Sequence, residues 1–120
     1  MFRSALSILA LVVTASHAQA PKTVETVASG LERPWAVAFL PGGEFLVSEK
    51  PGALRVVSAK GQISPPLTGL PAIENTGQGG LLDVVLDRDF ERTRALSFCF
   101  TEPGIGAEKG LNGTALARAT

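Results

Sequence analysis

An all-β fold follows from three features of this sequence. Short runs of β-forming residues recur about every ten residues, glycine and proline turns punctuate them, and no helical apolar period competes. The first run is "WAVAFL" (35–40), closed by Pro41-Gly42-Gly43. "FLVSE" (45–49) follows and ends at Pro51-Gly52, and "LRVV" (54–57) then runs into the turn "AKGQ". Each run has four to six residues with turn chemistry on either side, the pattern of an antiparallel meander. A second unit opens with "GLLDVVL", continues through "ALSFCF" and ends with "TALARA".

The two units align. Setting Val37 on Val84 and Phe39 on Leu86 brings Leu46 near Leu96, and the turn at Glu49–Gly52 near Glu102-Pro103-Gly104. A repeat of about 45 to 50 residues built from three or four short strands matches a β-propeller blade. A β-sandwich shows similar strand spacing, so the residues alone leave both architectures open. About a hundred residues remain after the leader described below, room for two blades, whereas a closed propeller needs about four to eight. Repeat units bury their faces against neighbours. The expectation is therefore a piece of a longer protein, or an assembly that closes the ring from several chains.

The composition, 45% hydrophobic and 18% charged, is that of one folded domain. Eleven basic residues balance eleven acidic ones, which removes the basic footprint of a nucleic-acid binder and any steering toward an anionic membrane. Cys99 is the only cysteine and His17 the only histidine, so no His/Cys zinc site can form and a metal would need oxygen ligands.

The amino terminus, "MFRSALSILALVVTASHAQAPK", places Arg3 ahead of an apolar stretch from Ala5 to about Ala15, with small residues at Ala18 and Ala20. That order is a secretory signal peptide over residues 1–20, too short in its apolar part to span a bilayer. An amphipathic helix fits less well, because no polar stripe interrupts the apolar residues. Cleavage after Ala20, or after Ala18 with Pro21 in mind, predicts a periplasmic or secreted protein with no stable membrane insertion afterwards. The mature domain then occupies residues 21–120.

Gln78 stands among Gly77, Gly79 and Gly80, immediately before the apolar run that opens the second unit. The glycines are conformational residues, allowing positive φ and close approach of other groups. From the residues alone Gln78 reads as a side chain that caps its own turn, with presentation to a ligand as the alternative.

The stretches "GLERPWAVAFLPGGEFLVSEKPGALRVV", "SPPLTGLPA" and "GQGGLLDVVLDRDF" resemble the amino-terminal part of the soluble aldose sugar dehydrogenases that use pyrroloquinoline quinone (PQQ), exported bacterial relatives of soluble glucose dehydrogenase. The likeness covers nearly all of the mature chain. It implies a six-bladed β-propeller, of which this chain supplies about the first one to two blades, with PQQ and calcium at the top of the channel where loops converge. In that family an aldose loses hydride from its anomeric carbon to the quinone, giving a lactone, while a histidine takes the hydroxyl proton and an external acceptor receives the electrons. The glutamine of the "GQGG" stretch, here Gln78, lines the cofactor and sugar pocket. An amide suits that place: it donates and accepts hydrogen bonds to a quinone oxygen and a sugar hydroxyl without adding charge, although it cannot act as the base.

No catalytic residue is assigned in this chain. Its histidine lies in the leader, and the resemblance puts the family's histidine a few tens of residues beyond Thr120, with the calcium and quinone loops. The expectation is that the 120-residue chain is inactive by itself. A non-catalytic exported propeller that binds a glycan or a protein partner is the competing function.

Other residues read as structural. Asp87-Arg88-Asp89 opens like a calcium loop but lacks the glycine at the sixth place and the glutamate at the twelfth, so it is a polar turn. The family commonly has proline where Arg88 stands. Trp35 and Phe39 are expected in the propeller core, Cys99 as a small buried hydrophobe, and Glu49, Glu102 and Asp83 at solvated turns.

Overall fold

The computed structural model describes residues 22–120; the leader lies outside the described residues. Among the described residues, six strands form two three-stranded antiparallel meanders. The first contains β1 (Pro34–Phe39), β2 (Phe45–Glu49) and β3 (Ala53–Val57) in that order. The second contains β4 (Leu81–Leu86), β5 (Leu96–Pro103) and β6 (Asn112–Ala119).

The turns obey local chemistry. Between β1 and β2, the Gly43 N–H bonds the Leu40 carbonyl at 3.0 Å, and Gly43 takes φ +85°, the left-handed place a three-residue hairpin requires. Both units begin alike: β1 pairs Phe39 with Phe45, β4 pairs Leu86 with Leu96, and each has a register irregularity near its start. Strand pairing therefore sets Leu96 against Phe45, one residue from Leu46, and the repeat seen in the sequence is a repeat of hairpins. One feature differs from expectation. The β4–β5 connection contains a single helical turn, α1 (Phe90–Thr93), too short to show a period in the sequence.

The two sheets pack face to face like successive blades of a β-propeller. Ala38, Leu46 and Leu54 of the first sheet meet Leu81, Val84, Phe98 and Phe100 of the second, with Ala36, Ala115 and Ala117 at the margin. Small residues on β1 let it approach β4, and the larger side chains fill the space between the sheets. Ser48 ties the layers together. Fully buried, its hydroxyl donates to the Leu82 carbonyl at 2.6 Å and accepts the Ala36 N–H at 3.0 Å, satisfying the main chain at the irregular start of β1.

Three expectations are corrected. Trp35 and Phe39 are not core: they are 53% and 74% exposed, because period-two alternation turns Ala36 and Ala38 inward. Phe39 instead stacks edge-on against Phe45, centroids 5.6 Å apart, on the outer face beside Val37, Val47 and Val57. Glu49 is not a solvated turn residue. It is 3% exposed, ion-paired to the Arg55 Nε at 2.9 Å, and accepts the Glu32 N–H at 2.6 Å, which clips the segment before β1 to the hairpin. Cys99 is half-buried, since it lies on the β5 face opposite Phe98 and Phe100. Asp83 and Glu102 are solvated as expected, but they stand in strands β4 and β5 and not at turns.

Candidate functional site

The chain between β3 and β4 crosses from one sheet to the other, and the "GQGG" stretch lies at the end of this crossing. Three anchors hold it. The Glu74 N–H donates to the Thr101 carbonyl at 2.8 Å, the Thr101 N–H to the Gly80 carbonyl at 2.9 Å, and the Leu81 N–H to the Lys50 carbonyl at 2.9 Å. The crossing is thereby fixed to β5 and to the β2–β3 turn. Between the anchors, the Gly79 N–H bonds the Thr76 carbonyl at 2.9 Å, closing a tight turn whose central residues are Gly77 and Gln78.

Glycine is required at two of these positions for different reasons. Gly77 takes φ +58° at the first central place of the turn, in open space. Gly80 takes φ +141°, and a Cβ there would sit 2.4 Å from the Lys50 carbonyl oxygen. Gly79 is crowded too, with the Glu74 carbonyl oxygen 2.9 Å from an added Cβ. The glycines thus serve the backbone, as the sequence predicts.

Gln78 is exposed at the tip of the turn, and among the described residues its side chain makes no hydrogen bond. Capping of its own turn is not seen; Thr76 and Glu74 bond one another through their side chains instead. Nearby, Asn75 Oδ1 is buried and without a donor. Sequence reasoning missed Asn75, and it missed Lys50, whose ammonium lies 3.5 Å from the Gly77 carbonyl oxygen and 5.3 Å from the Trp35 ring centroid. The sequence signal for Lys50 is its place at the β2–β3 turn, before Pro51-Gly52; its proximity to Gly77 is tertiary.

A cleft of about 430 Å³ opens between this crossing and the β5–β6 hairpin, lined by Glu74, Thr76, Lys109 and Asn112 among others. On the far side of the second sheet, Asp87 pairs with Arg118 at 2.7 Å, and Asp89 with Arg92. The Asp89 N–H holds the Asp87 carboxyl below its ordinary value, partial desolvation opposes this, and Arg118 and Arg92 add to the lowering. Both carboxylates lie in the β4–β5 connection, paired with arginine, at the opposite end of β4 from the Gln78 turn. Among the described residues no three His, Cys, Asp or Glu gather where they could hold a metal.

Residues 31–120 match the model of the family described as glucose/sorbosone dehydrogenase. The chain belongs to that family. It is similar to the aldose sugar dehydrogenase YliI of Escherichia coli strain K12, 38% identical over 114 residues, which span 92% of this chain and 31% of the relative. Among solved structures it is similar to a glucose dehydrogenase, with a TM-score of 0.74 and 42% identity over 81% of this chain and 28% of the other. The PQQ-bound aldose sugar dehydrogenase of Streptomyces coelicolor superposes with a TM-score of 0.69 at 32% identity, covering 81% of this chain and 27% of that one. The dehydrogenase-family chain therefore spans about a third of the length of the relatives it matches.

The residues present fit one polar edge of a quinone or sugar. An exposed amide, an undonated buried amide oxygen and a glycine backbone that permits close approach are neutral hydrogen-bonding groups, suited to carbonyl and hydroxyl partners. They do not fit a metal, so calcium enters no step below.

Proposed function

We propose that this chain is the amino-terminal part of an exported, PQQ-dependent aldose dehydrogenase with a six-bladed propeller, and that its own contribution to the site is Gln78. The supporting observation is the exposed, unbonded amide on a turn that both sheets hold in place, in a chain of the glucose/sorbosone dehydrogenase family. When bound, the quinone supplies the two-electron acceptor that takes hydride from the anomeric carbon. Gln78 orients: its amide donates to a quinone or sugar oxygen, and its carbonyl accepts a sugar hydroxyl. Because the side chain is uncharged, it sets geometry without shifting the potential of the redox centre by a nearby full charge.

On this reading the histidine base, the calcium ligands and most cofactor contacts come from elsewhere in the protein, and the 120-residue chain has no dehydrogenase activity of its own. The product is the lactone, and electrons leave to an external acceptor. Residues 1–20 direct export to the periplasm or beyond. Amino-terminal sequencing of the mature protein is expected to begin at Gln19 or Pro21; an intact Met1 on cytoplasmic protein contradicts the leader.

Reconstitution tests the activity. Complete protein carrying this segment, loaded with PQQ and calcium, is expected to reduce an artificial acceptor in the presence of aldoses and to release lactone. If it binds sugar or glycan but transfers no electrons at any quinone concentration, the competing reading of a non-catalytic binding propeller replaces this one.

A further inference from the structure

We propose that Lys50 is a positioning residue for the Gln78 turn, holding the Gly77–Gln78 peptide in one orientation through its ammonium. The inference rests on the functional reading of Gln78 only for its consequence in catalysis.

Lys50 is fixed before its side chain begins. Its N–H donates to the Arg33 carbonyl at 3.1 Å, and its carbonyl accepts the Leu81 N–H at 2.9 Å. Gly80 packs so closely against that carbonyl that a methyl group would not fit between them. The side chain therefore starts from a defined point beside the turn. Its ammonium is held over Trp35, whose ring centroid lies 5.3 Å from Nζ, within the range of a cation–π contact. The exposed indole thus has an explanation that core packing does not provide.

The ammonium ends 3.5 Å from the Gly77 carbonyl oxygen, a long contact that acts as charge on dipole more than as a short hydrogen bond. That oxygen belongs to the peptide unit that carries the Gln78 N–H. Gly77 has no Cβ to restrict rotation of this peptide, so a positive charge on one side selects the plane in which the carbonyl faces Lys50. The plane in turn fixes the direction of the Gln78 Cα–Cβ bond. The Thr76–Gly79 hydrogen bond closes the turn, and the Lys50 side chain reaches it from the first sheet.

The test uses the complete holo-protein and two variants. Lys50→Met keeps the stem and removes the charge, while Lys50→Arg restores a charge. Amide hydrogen exchange is read at Gly79, whose N–H bonds the Thr76 carbonyl, without sugar, and kcat and KM for an aldose are measured alone and with Gln78→Ala. Lys50→Met is expected to speed exchange at this amide by roughly two- to fivefold, the size that an exposed charge interaction supports. Lys50→Arg is expected to restore most of the protection. Aldose kcat/KM is expected to fall in Lys50→Met but to fall no further when it is added to Gln78→Ala, because both changes remove the same placed amide.

Unchanged exchange in Lys50→Met overturns the proposal. So does an equal additional loss of kcat/KM on the Gln78→Ala background, which would make Lys50 an independent ligand contact. Faster exchange with kcat/KM unaffected by either Lys50→Met or Gln78→Ala supports the hold of Lys50 on the turn and contradicts the role of Gln78.

Discussion

Replacing Gly80 by alanine is expected to destabilise the complete protein by about 2 to 6 kcal/mol, combining a forced positive φ with overpacking against main chain. At φ +141° an L-residue is strained by itself, and the new Cβ would lie 2.4 Å from the Lys50 carbonyl oxygen. A flexible side chain could swing aside, but this oxygen cannot: it accepts the Leu81 N–H that starts β4. Relief requires the two sheets to separate at the point where the crossing is anchored. In a protein of a few hundred residues the melting temperature should drop by roughly 5 to 20 °C. Gly77→Ala is the control, since its φ of +58° also strains alanine but nothing lies within 4 Å of the added Cβ. Its cost is expected to be only about 1 to 2 kcal/mol. Equal melting temperatures for the two variants would show that the contact with Lys50 carries no weight.

Gln78→Ala is expected to do the opposite, leaving stability nearly unchanged and lowering aldose kcat/KM by roughly ten- to more than hundredfold. That range corresponds to losing about 1 to 3 kcal/mol of hydrogen bonding in the transition state. The structure supplies the reason for the stability half of this expectation, because the exposed side chain bonds nothing among the described residues. Thermal denaturation and steady-state kinetics on the PQQ- and calcium-loaded protein separate the two effects. A lowered melting temperature with normal activity per folded molecule would make Gln78 a turn residue.

The strands and their order were legible because period-two apolar runs and Gly/Pro turns are local signals. Which face of β1 lies inward was not. Trp35 and Phe39 are larger than Ala36 and Ala38, and size favoured the wrong face; the sheets approach closely where alanine permits it. Glu49 shows the same limit for charge. Its burial depends on Arg55 across the hairpin and on the Glu32 N–H, a set of partners that no spacing rule announces. In the candidate site, the turn at Gln78 was visible from its glycines, since glycine content reports backbone geometry directly. Its supports were not, because Lys50 and Thr101 reach the turn only after the two sheets have packed.

Whether the turn presents Gln78 to the reacting partners is decided by a crystal structure of the complete protein with PQQ, calcium and an aldose bound. The Gln78 amide is expected within about 3.2 Å of a sugar hydroxyl or quinone oxygen, on a turn that keeps the Thr76–Gly79 hydrogen bond. A Gln78 side chain that points into solvent or folds back onto its own backbone, with both ligands out of hydrogen-bond reach, would contradict it.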